Sequence, residues 1–203
     1  MSTRKEIGAD SPAPSSGEEA RRAALLEAAF GVFARFGFRK TSMDEVARAA
    51  HVSRQGLYLH FANKEELFRA TLRHAIESSL AAAVAELTVK GASLEERMCG
   101  AFQASMGRYV GRFSASAADL KEAADGLIST EIADFEKRFV EALAGELREG
   151  GLAAAYKPAG VNARQLAETL CATARGLKHS CETPEEFRSA FAIAIRILCA
   201  PLA

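Results

Sequence analysis

Residues 41–67 read TSMDEVARAAHVSRQGLYLHFANKEEL, and the remainder of the chain is arranged around this stretch. Ser42 and Glu45 have the spacing of a capping box, in which the serine oxygen accepts from the Glu45 N–H and the glutamate reaches back. A helix is therefore predicted to start there, with Val46, Ala47 and Ala50 as its apolar stripe. Ala50-His51-Val52 leaves room only for a tight turn, and Ser53 is a good N-cap for a second helix. Arg54 and Gln55 occupy its first exposed positions, Tyr58 and His60 follow, and Leu57 and Phe61, four apart, face inward. This order of helix, short turn and short helix with a polar N-terminal end is the helix-turn-helix pattern, whose second helix enters the major groove of DNA. Arginine can bond two acceptors on a guanine edge, and glutamine matches the donor and acceptor of adenine. A third helix start follows at Asn63, with Glu66 at the box position and Lys64 in the first turn, within reach of a phosphate.

The same string resembles the DNA-binding signature of the TetR/AcrR family of one-component bacterial regulators. The matching pieces are Thr41-Ser42, Val46-Ala47, Ala50, Val52-Ser53, Leu57-Tyr58, His60-Phe61 and Lys64-Glu65 with Leu67, within a resemblance covering residues 21–68. It implies that Arg54, Gln55 and Tyr58 face bases or the flanking backbone, and that Thr41, Ser53, His60 and Lys64 hold phosphates, with Ser42 also counted among the DNA-contacting residues. His51 stands where the family most often has glycine; histidine tolerates a left-handed backbone better than most residues, so the turn is expected to be kept.

Charge supports a reader at one end. The 203-residue chain is balanced overall, yet residues 21–64 hold eight Lys/Arg against three acids, leaving the remainder acidic. A basic segment on an acidic body suits a protein that meets DNA through one end, a solvated basic face being the plainer alternative. The four cysteines, Cys99, Cys171, Cys181 and Cys199, lack CxxC or Cys/His spacing and read as reduced buried thiols, with Cys171–Cys181 as the least implausible redox pair. No metal site or cofactor is expected. No apolar run has the length of a membrane span and no signal peptide is evident, so a cytoplasmic location is expected.

Along the chain, residues 1–17 are poor in large apolar groups and read as a flexible tail. A supporting helix is predicted over 18–36, stopped at Gly37, with Phe30, Phe33 and Phe36 packing under the reader. Residues 64–89 carry Phe68, Leu72, Ile76, Leu80 and Val84 every four positions, giving one helix of some 25 residues and nearly 40 Å, a mechanical link to a second domain. A helix capped by Ser93 and Glu96 is predicted to reach Phe113, with Met98, Phe102, Met106, Tyr109 and Phe113 on one face. Helices over 116–127 and 130–149 follow, the latter with Ile132, Phe135, Phe139 and Leu143 inward and stopped by Gly150-Gly151. The loop to Val161, with Tyr156, is expected to be exposed. Asn162 opens a helix to Ser180, and Thr183-Pro184-Glu185-Glu186 opens the last one. Its sequence AFAIAIRILC is apolar on more than one face, which a lone terminal helix would not be; a second copy completing a four-helix bundle is the expected partner, with burial inside a monomer as the competing reading.

The expected fold is all-α, about nine helices, with a three-helix reader over 18–63 and a helical effector-binding and dimerising domain over 64–203. A Met/aromatic stripe is by itself more often plain core than a ligand wall. The resemblance favours a pocket, with Met98, Phe102, Met106, Tyr109, Phe113, Phe135, Phe139 and Cys171 as its candidate lining. Arg175 and His179, one turn apart, suit a dimer seam or surface pair better than catalysis, and no nucleophile, zinc-protease or phosphate-loop motif is present. The expected partners are a palindromic double-stranded operator, a small apolar or aromatic effector and a second copy of the chain through the last two helices. The expected function is transcriptional regulation, most simply repression relieved by the effector. A scaffold whose C-terminal domain binds a protein partner is the alternative.

Overall fold

The computed structural model describes residues 16–111, 117–125 and 128–202, and every regular element in them is helical. Phe113, named above as a pocket residue, lies outside them.

Helix α1 (Ser16–Lys40) begins two residues before the expected start, with Glu18 and Glu19 in its first turn, where carboxylates suit the helix dipole. Gly37 leaves helical geometry at φ 82°, a left-handed backbone that glycine adopts without the Cβ clash. The kink swings Phe38 back onto Phe33 and Phe68, with ring centroids 6.2 and 4.9 Å away. Helices α2 (Met43–Ala49) and α3 (Arg54–His60) follow, capped by Ser42 and Ser53. Between them His51 takes φ 55°, so the left-handed turn is kept without glycine.

Helix α4 (Lys64–Leu87) starts at Asn63, whose side chain accepts from the Glu66 N–H. Its first turns bury Leu67 and Phe68 with Leu25, Phe33, Val46, Leu57 and Phe61; its last turns bury Leu80, Ala83 and Leu87 in a second cluster. One rigid helix therefore belongs to both cores. The four-residue repeat overstates its buried stripe. Each step of four advances about 40° beyond a full turn, so Val84 has rotated into solvent, while Leu72 and Ile76 are half-buried.

Helix α5 (Leu94–Ser105) ends well before Phe113, and a 3-10 turn at Gly107–Tyr109 redirects the chain. A Cβ on Gly107 would stand 2.8 Å from the Phe187 ring, so the close approach at this bend requires glycine. Helices α6 (Ala117–Asp125) and α7 (Ser129–Glu149) come next. A tenth helix, α8 (Leu152–Ala155), occupies the segment expected as an exposed loop: Leu152 is fully buried, and the Tyr156 hydroxyl donates to the Leu198 carbonyl at 3.0 Å. Helices α9 (Ala163–Ser180) and α10 (Pro184–Cys199) start at the predicted caps, Asn162 and Thr183. The second core gathers Met98, Phe102, Phe139, Leu143, Phe187 and Phe191 from α5, α7 and α10.

Two of the three phenylalanines assigned to the underside of the reader lie elsewhere. Phe33 is buried there, but Phe36 is 41% exposed, and Phe30 turns toward Tyr109, its ring centroid 5.6 Å away. Steps of three residues fall about 60° short of a full turn, so positions 30 and 36 lie about 120° apart around the helix.

Candidate nucleic-acid interface and ligand cavity

Helix α3 is presented by its caps. Leu57 and Phe61 are fully buried, which leaves Arg54, Gln55, Tyr58 and His60 exposed. The Arg54 guanidinium lies 2.9 Å from Asp44 Oδ2 and 5.6 Å from the Tyr58 ring centroid. Both partners of that ion pair are mostly solvent-exposed, so it is worth at most about 1 kcal/mol, and Arg54 can exchange the carboxylate for a base edge. The Ser53 oxygen accepts from the Gly56 N–H at 2.9 Å, and its hydroxyl proton is left to donate outward. Leu59, 80% exposed on the same helix, was not singled out in the sequence. A large apolar side chain at a polar helix end is its only signal.

Three assigned DNA contacts are engaged internally. Thr41 is 2% exposed, and its hydroxyl donates to the Gly37 carbonyl at 2.7 Å, clamping the kink of α1. The Ser42 hydroxyl accepts from the Glu45 N–H and donates to the Glu45 carboxylate at 2.8 Å. The Ser42 N–H, and then its hydroxyl, hold the Glu45 carboxyl below the ordinary carboxylate range. Lys64 Nζ donates to the carbonyls of Phe38 at 2.9 Å and Arg39 at 3.3 Å and sits 4.5 Å from the Phe38 ring centroid. These are carbonyls that a helix end leaves unpaired, so Lys64 caps α1, with one ammonium proton remaining. The sequence shows such donors but not the acceptors that a distant kink brings to them. Arg39, at the end of α1, meets Asp119 and Glu122 of α6 at 3.3 and 2.8 Å.

A cavity of about 340 Å³ opens between α1, α4, α5, α7 and α9. Of the candidate lining, Met106, Tyr109 and Phe135 border it. Met98, Phe102, Phe139 and Cys171 are at most 4% exposed and pack into the second core instead: α5 turns away at Gly107, so Met98 and Phe102 continue the core, where Phe139 of α7 and Cys171 of α9 join them. The remaining wall comes from Phe30, Leu72, Ala75, Ile76, Ser79, Ser105 and Ile132, with Glu136, Arg175, Lys178 and His179 along one side. Arg175 and His179 thus border this cavity, and Arg175 pairs with Glu136 at 3.0 Å. Small polar residues at apolar positions, Ser79 and Ser105, were the available signal. The Ser79 and Tyr109 hydroxyls bond at 2.6 Å, and Ser79 also reaches the Ala75 carbonyl at 2.6 Å. An adjoining cavity of about 450 Å³ shares Phe30, Leu72, Tyr109, Lys178 and His179 and extends toward Phe33 and Phe68 of the first core. Withdrawal from water lowers the Lys178 pKa from its ordinary value.

Burial pushes the Cys171 thiol up to about 12 and the Cys199 thiol to about 11. Such thiols stay protonated near neutrality and are poor nucleophiles. No described helix is long and apolar enough to cross a membrane.

Residues 25–71 match the family described as bacterial regulatory proteins, tetR family. The chain is 40% identical over 63 residues to "Uncharacterized HTH-type transcriptional regulator YfiR" of Bacillus subtilis, a match covering 31% of each chain. It is 39% identical over 67 residues to "Probable acrEF/envCD operon repressor" of Escherichia coli, covering 30% of each. The matches thus span under a third of those relatives' length. Over the whole fold it is similar to a TetR-like transcriptional regulator from Rhodococcus sp. RHA1, with a TM-score of 0.57 and 24% identity over 93% of this chain and 97% of that one.

Proposed function

We propose, from the premise that residues 25–71 belong to the tetR family of bacterial regulatory proteins, that the chain is a sequence-specific transcriptional regulator, a repressor released from its operator by a small effector. The observation that carries the reading is α3: Leu57 and the capping Phe61 are locked into the core while Arg54, Gln55 and Tyr58 stay exposed to solvent. An α-helix with its side chains is about 10–12 Å across, which suits a major groove about 12 Å wide. Residues 18–63 form the reader in this proposal, and residues 64–203 the effector-binding and dimerising part.

Effector binding is placed in the cavity lined by Met106, Tyr109 and Phe135, because Phe30 of α1 and Leu72 and Ile76 of α4 form part of its wall. An occupant that prefers one arrangement of α1 and α4 shifts the reader with it. The protein-partner alternative called for a dry core without a cavity, and the cavity weighs against it. A homodimer through α9 and α10 would set two readers about 34–36 Å apart on a palindromic operator; Ile193 and Ile197, 52% and 68% exposed on α10, favour that surface.

The test is fluorescence anisotropy against the DNA immediately upstream of the coding region, at two salt concentrations and with random DNA as competitor. Tight binding that survives the competitor is expected. Binding no better than to random DNA, with a steep salt slope, would count against self-regulation and bring the protein-partner reading forward.

A further inference from the structure

We propose that the effector is an amphipathic monoanion, an apolar body bearing one carboxylate, and that Lys178 is its counter-ion. This rests on the reading of the cavity as the effector site.

The cavity's hydroxyls and its other charged side chains are already matched among the described residues, and Lys178 is not. Ser79 and Tyr109 bond each other, and the Ser105 hydroxyl donates to the Phe102 carbonyl at 3.3 Å. Arg175 and Glu136 neutralise one another at 3.0 Å. Lys178 borders both this cavity and the adjoining one, is half-buried, and has neither an acidic side chain nor a carbonyl within bonding distance among the described residues. His179 borders the same cavities and adds a second polar group to that side. An ammonium kept from water without an anion is disfavoured, and an incoming carboxylate removes that cost. The last turn of α9 gains from any cation through the helix dipole, but that role is met as well by a lysine pointing into solvent.

The charge count fixes the valence. With Arg175 offset by Glu136, the side chains bordering the cavity leave one lysine in excess, which matches one negative charge and leaves a phosphate dianion without a second counter-ion. The body is set by the opposite wall, Phe30, Leu72, Ile76 and Ile132. At about 340 and 450 Å³, each of the two cavities by itself lies in the lower part of the range of about 300–1,000 Å³ in which small molecules are held, enough for a bicyclic ring or a medium alkyl chain.

The test is isothermal titration calorimetry of the full chain with two matched pairs: 1-naphthaleneacetate against 1-naphthaleneacetamide, and decanoate against decan-1-ol. Each acid is expected to bind about tenfold or more tightly than its neutral partner, the size of one charge-assisted hydrogen bond. Lys178→Met should abolish that preference while leaving the neutral compounds' affinity unchanged, and Lys178→Arg should retain it; circular dichroism confirms that both variants fold. Equal affinities, a preference surviving in Lys178→Met, or no binding by any compound overturns the proposal. The cavity reading fails differently. If neutral and acid forms bind alike and Ile76→Trp abolishes both, the charge assignment falls and the cavity stands; if binding of all compounds survives Ile76→Trp, the cavity is not the site.

Discussion

Arg54 and Lys64 are both cations in the first turn of a helix, and the structure engages them differently. Arg54 is held by one exposed carboxylate and a tyrosine face, both easily exchanged. Arg54→Ala should therefore weaken operator binding by about 1–3 kcal/mol, the worth of a bidentate base contact, with little loss on random DNA. An equal loss on both DNAs in anisotropy titrations would remove its assigned role. Lys64 donates to two carbonyls at the end of α1. Lys64→Met should cost about 1–3 kcal/mol of stability by leaving those acceptors without their charged donor, and change the salt slope of DNA binding by less than a full phosphate contact. Urea unfolding combined with the salt series separates the two effects. Acid acts on the caps in turn. Glu45 and Glu96 are held below the ordinary carboxylate range, chiefly by the N–H groups of Ser42 and Ser93. Because the folded pKa lies below the unfolded one, this stability is fully present above about pH 4.5 and is lost as pH falls through the folded values. Ser42→Ala should shrink that acid loss, read as the pH dependence of the urea midpoint.

At the scale of elements, what could be read from the sequence was what is local. The starts of α2, α3, α4, α9 and α10 follow from caps lying within four residues of the atoms they bind. What could not be read was which apolar face meets a core and which meets a void. Met98 and Phe102 share a stripe with Met106 and Tyr109, yet the bend at Gly107 sends the first pair into packing and the second to the cavity wall. Phe30 was likewise read as support for the reader alone. Its position makes α1 a candidate coupler, since Phe30 touches Tyr109 at the cavity while Phe33, nearly a turn later, packs in the reader's core. Phe30→Ala should leave operator affinity without effector within about threefold, yet reduce the effector-induced loss of binding. The coupling at stake is of the usual 1–3 kcal/mol. If the effector releases Phe30→Ala from DNA as completely as the unaltered protein, coupling runs through α4 alone.

For the whole molecule, the open question is how seven residues of α3 reach operator-level affinity. One reader touches too little of the duplex to stand apart from random DNA, whereas two readers joined on one scaffold bind the second half-site as an intramolecular event, a gain of about 10²–10⁴. In the proposed dimer they are joined through α9 and α10. Ile193 and Ile197 stand one turn apart and exposed on α10, while Ala172 and Gly176, also exposed and one turn apart, would let a partner helix approach α9 closely. A charge placed there would be desolvated on association without a counter-ion, so Ile197→Asp should leave helix content and melting of the protomer largely intact, yet shift the sedimentation coefficient to that of a monomer at micromolar concentration. Operator affinity should then fall by about a hundredfold or more, while affinity for a single half-site is unchanged. A variant that remains dimeric would move the interface off this face. One that becomes monomeric but keeps full operator affinity would show that a single reader suffices, and the two-fold account of the operator would fall with it.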